Sequence, residues 1–319
     1  MKPICCGVIL LGAALTENAP VHAWMASAHA KIAAAAVAAL PDSMPPFFRA
    51  GASRIGRSAV DPDFYRLREL SQLRNAESPE HYLDAELLDG AEWPATRYEY
   101  LELTAKLEQN PYFVGTLPYA IAEGVQLLAA GFAQVRLNPD DQWARAKVLH
   151  YAGIMAHYSA DLCQPLHTTI HFDGRARVDG SSPGSGIHLE TDSLASAVFS
   201  ESPQGPLGVK AEERIESTRD LWSTIRSEFA ASHALVDRVY ELESGLGPEV
   251  VSPEAMRFAR ERVTASIRFT SSLFVTAWEL SADLSVPDWF RRFQSEPAES
   301  TEPAAVSAAP PASGADSPR

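Results

Sequence analysis

The stretch His157-Tyr-Ser-Ala-Asp161-Leu-Cys-Gln-Pro-Leu-His167 decides how this chain is interpreted. Residues 141–163, which contain its first half, include no proline and a single glycine, so the pattern predicts a helix. Residues four apart lie on one face of a helix, so His157 and Asp161 can converge on one point. Pro165 ends the helix, and His167 can return from the following loop to the same pocket.

The chemistry of this stretch is that of a metal ligand set. Two imidazoles and a carboxylate within so short a segment favour Zn²⁺, which prefers neutral imidazole nitrogen and anionic oxygen. On its own, however, a helical His with an Asp one turn away is usually a surface pair or an internally satisfied pair. The rest of the chain has to decide between these interpretations.

The first residues of the chain predict export. Residues 1–23 combine a basic start at Lys2, an apolar run over 4–15 and Val21-His-Ala23 before Trp24, which is typical of a cleaved secretory signal. No later stretch is apolar for long enough to serve as a stable membrane anchor. We therefore expect a secreted or periplasmic protein that begins at Trp24.

Charge and cysteine content limit the possible functions. The net charge of the 319 residues is −14, and an acidic protein does not bind polyanions through a broad basic face. If the substrate is a phosphate ester, a bound metal must therefore supply the local positive charge. Removal of Cys5 and Cys6 with the signal would leave only Cys163, so no internal disulfide is expected and Cys163 is assigned to packing.

Helical periodicity dominates the chain after the signal, and no convincing β alternation or internal repeat is present. With 46% hydrophobic residues, the chain can bury one large core. We predict a single all-α domain over 24–292 and a disordered Pro/Ala/Ser-rich tail over 293–319. The predicted helical stretches are 26–40, a short one that follows Arg66 and reaches about Leu73, 96–109, 118–137, 141–163, a helix opened by Gly186, 209–243 and 253–283.

Further histidines stand in contexts that suit a metal centre. His188 and Asp192 repeat the spacing of His157 and Asp161, and His29 follows Trp24 by five residues. A free α-amine and its own carbonyl can chelate a metal together. With these residues the sequence resembles the superfamily that unites zinc-dependent phospholipases C with the fungal-type single-strand-specific nucleases. In that family the mature chain starts at a Trp, and H-x-x-x-D-x-x-x-x-x-H is followed by H-x-x-x-D or H-x-x-x-E.

The resemblance implies an all-α fold of that type and three zinc ions. It implies that the first zinc is held by Asp63, His81, His157 and Asp161, and the second by His167, His188 and Asp192. The third would be held by His29 and by the amine and carbonyl of Trp24, with Asp161 bridging to the first.

The resemblance also implies a phosphodiesterase in which metal-activated water attacks phosphorus. Asp63 would orient or deprotonate the water, and Arg66 would contact a phosphate oxygen. Asp63 is preferred because Asp63-Phe-Tyr-Arg66 resembles the nuclease pattern D-x-x-R, and Asp61 remains an alternative ligand. Arg66 can equally form a plain ion pair with Asp61 or Asp63.

The substrate class stays open between three hypotheses. The first is a nuclease or 3′-nucleotidase on single-stranded nucleic acid or nucleotides, with Tyr82 stacking a base and Asp84 hydrogen-bonding it. Alternatively, Tyr82 packs and Asp84 serves as a cap. The second is a phospholipase C, which should expose an apolar rim around the pocket. The third is a non-catalytic zinc-binding protein without an open metal position.

Other residues receive lesser roles. Ser27 stands where a choline pocket is expected to offer a carboxylate, which weakens a phosphatidylcholine interpretation. His150 is expected in the core or behind the ligands. Solvated positions are predicted for His171 and Glu190, and no catalytic role is predicted for His233.

Overall fold

The computed structural model describes residues 26–203, 215–246 and 251–295. The predicted signal segment, Trp24 and residues 296–319 lie outside these ranges. The described residues contain no β-strand, so the all-α prediction is confirmed. The helices are α1 Ala26–Ala38, α2 Pro46–Ala50, α3 Ala52–Ser58, α4 Asp61–Phe64, α5 Ser71–Glu77, α6 Arg97–Lys106, α7 Pro111–Val114, α8 Leu117–Leu137, α9 Gln142–Leu162, α10 Ile187–Glu201, α11 Leu221–His233, α12 Val236–Leu242, α13 Pro253–Leu280 and α14 Asp288–Ser295. Short 3₁₀ turns cover Ser78–His81, Ala85–Leu88, Pro165–Thr168 and Glu243–Gly245.

The centre of the fold is the pair α8 and α9, which pack along each other. The side chain of Asp141 caps α9 by accepting hydrogen bonds from the backbone N–H of Trp143 at 2.8 Å and of Ala144 at 3.1 Å. Pro165 follows the last residue of α9 and opens a 3₁₀ turn. Because the whole second half of α9 from Met155 is buried, His157 and Asp161 lie inside the protein.

A glycine lets α3 approach α9 closely. A Cβ atom at Gly153 would lie 2.5 Å from Ser58 Cβ and 2.6 Å from the carbonyl oxygen of Ile55. Any side chain at this position would therefore push the two helices apart. The close packing brings the residue after α3, Ala59, next to His157.

Helices α1 and α13 complete the packing around α9. Helix α13 contacts α1, α8, α9 and α10. Buried hydroxyls join these helices, because Ser271 Oγ donates to the carbonyl of Ala36 at 2.9 Å and the Ser159 and Thr270 hydroxyls lie 2.7 Å apart. Each hydroxyl thus has a partner in a place where an unpaired one would be costly.

Some predicted boundaries differ from the structure. The short helical stretch expected between Arg66 and about Leu73 begins only at Ser71, as α5, and continues to Glu77. The helix expected over 209–243 is divided into α11 and α12 after His233, and residues 209–214 lie outside the described ranges. Periodicity missed the break after His233 because the apolar spacing continues through the turn.

The chain divides into two compact units, residues 1–283 and 284–319. The second unit contains α14, which begins before the predicted tail and includes its first residues. No helix in the described ranges has the length and apolar character needed to cross a membrane.

Candidate metal centre

Eight of the nine predicted ligands come together in three groups, and the ninth, Trp24, lies outside the described residues. Within each group the donor atoms lie within 4.8 Å of one another. Six chain segments contribute, namely α1, α4, two 3₁₀ turns, α9 and α10. The groups are His29, His157 and Asp161; Asp63, His81 and His157; and His167, His188 and Asp192.

Asp161 lies at the middle of the first group and is fully buried. Its Oδ1 is 3.3 Å from His29 Nε2, and its Oδ2 is 3.2 Å from His157 Nε2. The two imidazole rings stack with centroids 3.9 Å apart. Each carboxylate oxygen therefore faces a different imidazole, which suits a group that joins two neighbouring metal positions.

Main-chain carbonyls orient four of the imidazoles. Each ring uses Nδ1 as the hydrogen-bond donor, which leaves the lone pair of Nε2 for a metal. The pairs are His81 with Glu77 O at 3.0 Å, His157 with Ala59 O at 2.9 Å, His167 with His81 O at 2.6 Å and His188 with Phe172 O at 3.2 Å.

The imidazole nitrogens and carboxylate oxygens that could bind a metal in these groups are buried without hydrogen-bond partners among the described residues. Burying polar atoms in this way costs free energy unless another group binds them, so this arrangement fits bound cations. A set made of imidazole nitrogen and carboxylate oxygen suits zinc. The atoms are Nδ1 and Nε2 of His29, Nε2 of His81, His157 and His167, Oδ2 of Asp63 and Asp192, and both oxygens of Asp161.

Burial and neighbouring charges shift the pKa values of these groups. Burial lowers the pKa of His167 to about 4 and keeps the pKa of His81 well below its usual value. Burial acts on His157 in the same direction, but the Asp161 carboxylate outweighs it and raises the pKa of His157 to about 9. A metal at His157 must displace that proton, so metal affinity should fall as the pH falls.

Gln164 is a candidate site residue that the sequence interpretation missed. It is fully buried, and its Nε2 donates to Asp192 Oδ1 at 2.8 Å. This bond holds one carboxylate oxygen and leaves Asp192 Oδ2 facing His188 Nε2 at 3.3 Å. The available signal was an amide residue inside the motif, between Asp161 and His167.

The structure separates Asp63 from Asp61. Asp63 Oδ1 lies 3.7 Å from His81 Nε2, whereas Asp61 Oδ2 lies 3.7 Å from His150 Nδ1, away from the three groups. His150 is partly exposed and also contacts the Ser58 hydroxyl at 3.2 Å, so its expected place in the core or behind the ligands is wrong. The geometry supports Asp63 over Asp61 as the ligand.

Arg66 is connected to the centre through Asp63. Its Nη1 donates to Asp63 Oδ1 at 3.4 Å, while 31% of its side chain remains exposed. The ion pair that was an alternative for Arg66 is therefore present, and the guanidinium still reaches solvent next to the ligands.

Tyr82 and Asp84 line the region after His81. The Tyr82 hydroxyl donates to the carbonyl of Tyr112 at 2.5 Å, so this ring is partly packed. Asp84 is buried, and no hydrogen bond to its carboxyl group occurs within the described ranges. Burial and the charge of Glu86 raise the pKa of Asp84 to about 8, so the carboxyl is mostly protonated at neutral pH. The expected capping alternative for Asp84 is not realised in the described chain.

The remaining candidates lie outside the three groups. Cys163 is buried and its thiol donates to Glu228 at 3.4 Å, as its assignment to packing requires. His171 accepts a hydrogen bond from Ala176 N at 3.0 Å, and His233 contacts the carbonyl of Thr168 at 3.0 Å. Glu190 is half-buried rather than fully solvated.

The candidate centre is most exposed at His188, and exposed apolar side chains lie next to two of its residues in the sequence or in space. His188 has 13% of its side chain exposed, whereas the side chains of the other described ligands are exposed by 4% or less. Phe64 and Leu189, which directly follow the ligands Asp63 and His188, are exposed by 61% and 45%. The ring of Phe172 is 40% exposed and lies 6.1 Å from the ring of His188.

Comparisons with known proteins give a remote structural likeness only. No family model matches the sequence, and no curated protein matches it. Two solved structures are similar to the chain: the alpha toxin from Clostridium absonum, at 12% identity and a TM-score of 0.47, and the alpha-toxin of Clostridium perfringens from avian strain SWCP, at 15% identity and a TM-score of 0.48. Each match covers 82% of this chain, which spans 66% and 65% of the respective toxin chains. At these scores we take the function from this chain's own residues.

Proposed function

We propose that this protein is a zinc-dependent hydrolase of phosphodiester bonds. The observation that carries the proposal is the convergence of buried imidazole nitrogens and carboxylate oxygens that lack hydrogen-bond partners in the described chain. Three adjacent groups with few protein ligands each resemble catalytic zinc sites, which leave a coordination position for water or substrate. Three bound zinc ions are part of the proposal, with Trp24 completing the group of His29 and Asp161.

The roles of the residues follow from their positions. The imidazoles and Asp161, Asp63 and Asp192 would hold zinc, which supplies Lewis acidity toward phosphoryl oxygen and water. Asp63 Oδ2, which has no hydrogen-bond partner among the described residues, would accept a proton or a hydrogen bond from water. Arg66 is exposed enough to contact a phosphate oxygen while Asp63 holds its guanidinium in place.

Phospholipid is the substrate class that the surface favours. An enzyme that acts on lipid needs apolar side chains around the opening of its site. Phe64, Phe172 and Leu189 provide such side chains next to two proposed ligands, Asp63 and His188. Four further apolar residues are exposed. Leu67 and Leu70 lie between α4 and α5, Leu73 lies on α5, and Phe113 lies on α7. We infer that these seven residues, called the apolar rim below, contact the lipid substrate.

Single-stranded nucleic acid is the second candidate, and Asp84 is the observation that favours it. A buried carboxyl that is protonated at neutral pH can donate a hydrogen bond to a base. Tyr82, two positions before Asp84 in the sequence, would stack on the same base. The net charge of −14 weighs against this substrate, since a polyanion would be repelled outside the metal centre. The exposed apolar residues have no role in this alternative.

A panel of substrates tests the proposal. Zinc-loaded protein that starts at Trp24 should hydrolyse phospholipid vesicles and a soluble short-chain phospholipid, with single-stranded DNA and RNA assayed in parallel. Turnover of nucleic acid alone would overturn the lipid assignment. Full zinc content without turnover of any phosphodiester would support the third hypothesis, a non-catalytic zinc protein.

Variants of the apolar rim separate lipid binding from catalysis. Phe64→Ala combined with Phe113→Ala should lower the rate on vesicles about tenfold or more, because burial of each large side chain contributes about 1.5–3 kcal/mol. The rate on the soluble phospholipid should change little. Tyr98→Ala is the matched control, since Tyr98 is 80% exposed and belongs to α6, away from the ligands in sequence. Equal losses of rate on both substrates would contradict the proposal that the apolar rim acts by contacting lipid.

A further inference from the structure

Helix α14, Asp288–Ser295, belongs to the second compact unit and carries exposed aromatic side chains. Trp289 and Phe293 are one turn apart and are 64% and 63% exposed. Phe290 contacts both, with ring centroids 5.5 Å from Trp289 and 6.2 Å from Phe293. Three aromatic side chains therefore form one continuous patch on one side of the helix.

The other side of α14 is polar and basic. At 100° per residue, Asp288 and Arg291 fall opposite the aromatic patch, and Arg292 flanks it. Arg291 and Arg292 are exposed. A helix with aromatic residues on one face and arginine on the other is the type that lies in a membrane interface. Tryptophan in particular prefers the boundary between lipid headgroups and acyl chains.

We propose that α14 binds the surface of a phospholipid bilayer, with Trp289, Phe290 and Phe293 inserted at the level of the headgroups. The inference goes beyond the proposed hydrolase activity and does not depend on it. An eight-residue helix is about 12 Å long, so it can lie on a membrane but not span one.

A second copy of the chain is a less suitable occupant of this face. Three aromatic side chains bury at most about 150–250 Å² each, whereas a stable protein interface buries about 800 Å² on each partner. Aromatic residues inserted into a bilayer need no such matching surface. The face is thus too small for dimerisation through α14 alone and large enough for reversible binding to lipid.

The basic side predicts a weak dependence on anionic lipid. Two arginines against one aspartate give α14 a small positive charge, while the whole chain carries −14. Attraction to an anionic surface is therefore short-range and is screened within about 8–10 Å at physiological salt. Aromatic insertion should provide most of the binding, so vesicles of phosphatidylcholine alone should suffice.

The experiment uses full-length zinc-loaded protein and phosphatidylcholine vesicles, with and without a fraction of phosphatidylglycerol. Co-sedimentation measures partitioning, and brominated phosphatidylcholine reports contact through quenching of tryptophan fluorescence. The double variant Trp289→Ala/Phe293→Ala should bind about tenfold to a hundredfold more weakly, since partitioning scales with buried apolar area. Turnover of a soluble short-chain phospholipid should be unchanged, which separates this inference from the proposed function.

Two further variants make the result specific. Trp289→Phe should keep vesicle binding but lose most of the quenching, because the contacting indole is gone. Trp143→Ala is the matched control, because Trp143 is 84% exposed on α9, and it should change neither measurement. Equal binding by the wild type and the double variant would overturn the proposal. A concentration-dependent dimer that the double variant abolishes, without vesicle binding by the wild type, would also overturn it.

Discussion

Asp161 combines complete burial with two carboxylate oxygens that face separate imidazoles. Burial disfavours its ionised form, but His157, His167 and His29 outweigh that effect and hold the pKa of Asp161 well below its usual value. The residue therefore remains a carboxylate in the interior, where its charge requires cationic partners. Substituting it should affect the metal centre and the folded state together.

Replacing Asp161 with Asn keeps the shape and removes the charge. We expect Asp161→Asn to lose about one zinc ion per chain or more and to lower the melting temperature, because metal binding contributes to the free energy of folding. Metal analysis and calorimetry measure the two effects. Asp61→Asn is the control, since Asp61 pairs with the partly exposed His150 and should keep the full zinc content. A zinc loss in Asp61→Asn equal to that in Asp161→Asn would contradict the ligand assignment.

Asp84 should make stability depend on pH. Its pKa of about 8 lies above the unfolded value near 4, so the folded state binds more protons between these pH values. The free energy of unfolding should therefore fall as pH rises from 4 to 8. Asp84→Asn should remove this dependence, and its stability relative to the wild type should rise by up to about 1.4 kcal/mol per pH unit in that window. Denaturant titrations at several pH values, with excess zinc, provide the measurement. Parallel pH profiles for both proteins would show that Asp84 is ionised normally.

At the level of elements, the contact between α3 and α9 positions the first two candidate metal groups. Helix α9 carries His157 and Asp161, and the residue after α3 supplies the carbonyl that orients His157. Gly153 allows this approach one turn before His157. A change in the distance between the two helices should therefore reach the ligands.

Gly153→Ala tests that dependence. We expect it to destabilise the fold by about 1–3 kcal/mol, because the new Cβ meets Ser58 and a backbone oxygen that cannot move cheaply. The cost of this steric clash outweighs the gain in helix propensity that alanine brings, which is up to about 1 kcal/mol. Gly124→Ala on α8 is the control. Its Cβ would approach Met155 alone, and the nearest atom is Cγ of that flexible side chain at 3.1 Å. Thermal unfolding and zinc content should change in the first variant and little in the second.

At the scale of the whole molecule, the proposed third zinc position depends on the new chain start that cleavage before Trp24 would create. His29 lies in the first turns of α1, and both of its ring nitrogens are buried without hydrogen-bond partners among the described residues. Trp24 precedes it by five positions. A free α-amine has a pKa of about 8 and can lose its proton to a metal, whereas a peptide nitrogen has no lone pair to offer.

Protein produced with one extra Gly before Trp24 should lose about one zinc ion and most of its turnover. Protein that begins at Trp24 is the comparison, and circular dichroism should show both forms folded. Zinc content and phosphodiesterase activity are the measurements. If both forms hold equal zinc and are equally active, Trp24 is not a ligand and the third zinc position is absent.

How much could be predicted from the sequence depends on whether a feature is local. The pairing of His157 with Asp161 follows from helical spacing, and the ends of α9 follow from Asp141 and Pro165. Long amphipathic stretches likewise predicted the all-α class. By contrast, the Ala59 carbonyl that orients His157 is 98 positions away in the sequence, and spacing cannot predict such a contact. The burial of Asp84 and the exposure of Phe64 also depend on tertiary packing, which a single sequence does not show.

The oxygen atoms that orient four of the imidazoles belong to the main chain, and every amino acid supplies one. Substitutions at Glu77 or Phe172 change a side chain but leave the acceptor for His81 or His188 in place, provided the local backbone persists. Sequence changes at these neighbouring positions therefore leave the orientation of the imidazoles unchanged. Side chains that meet the substrate could diverge widely, and the chain could acquire a new specificity without first rebuilding its ligand geometry.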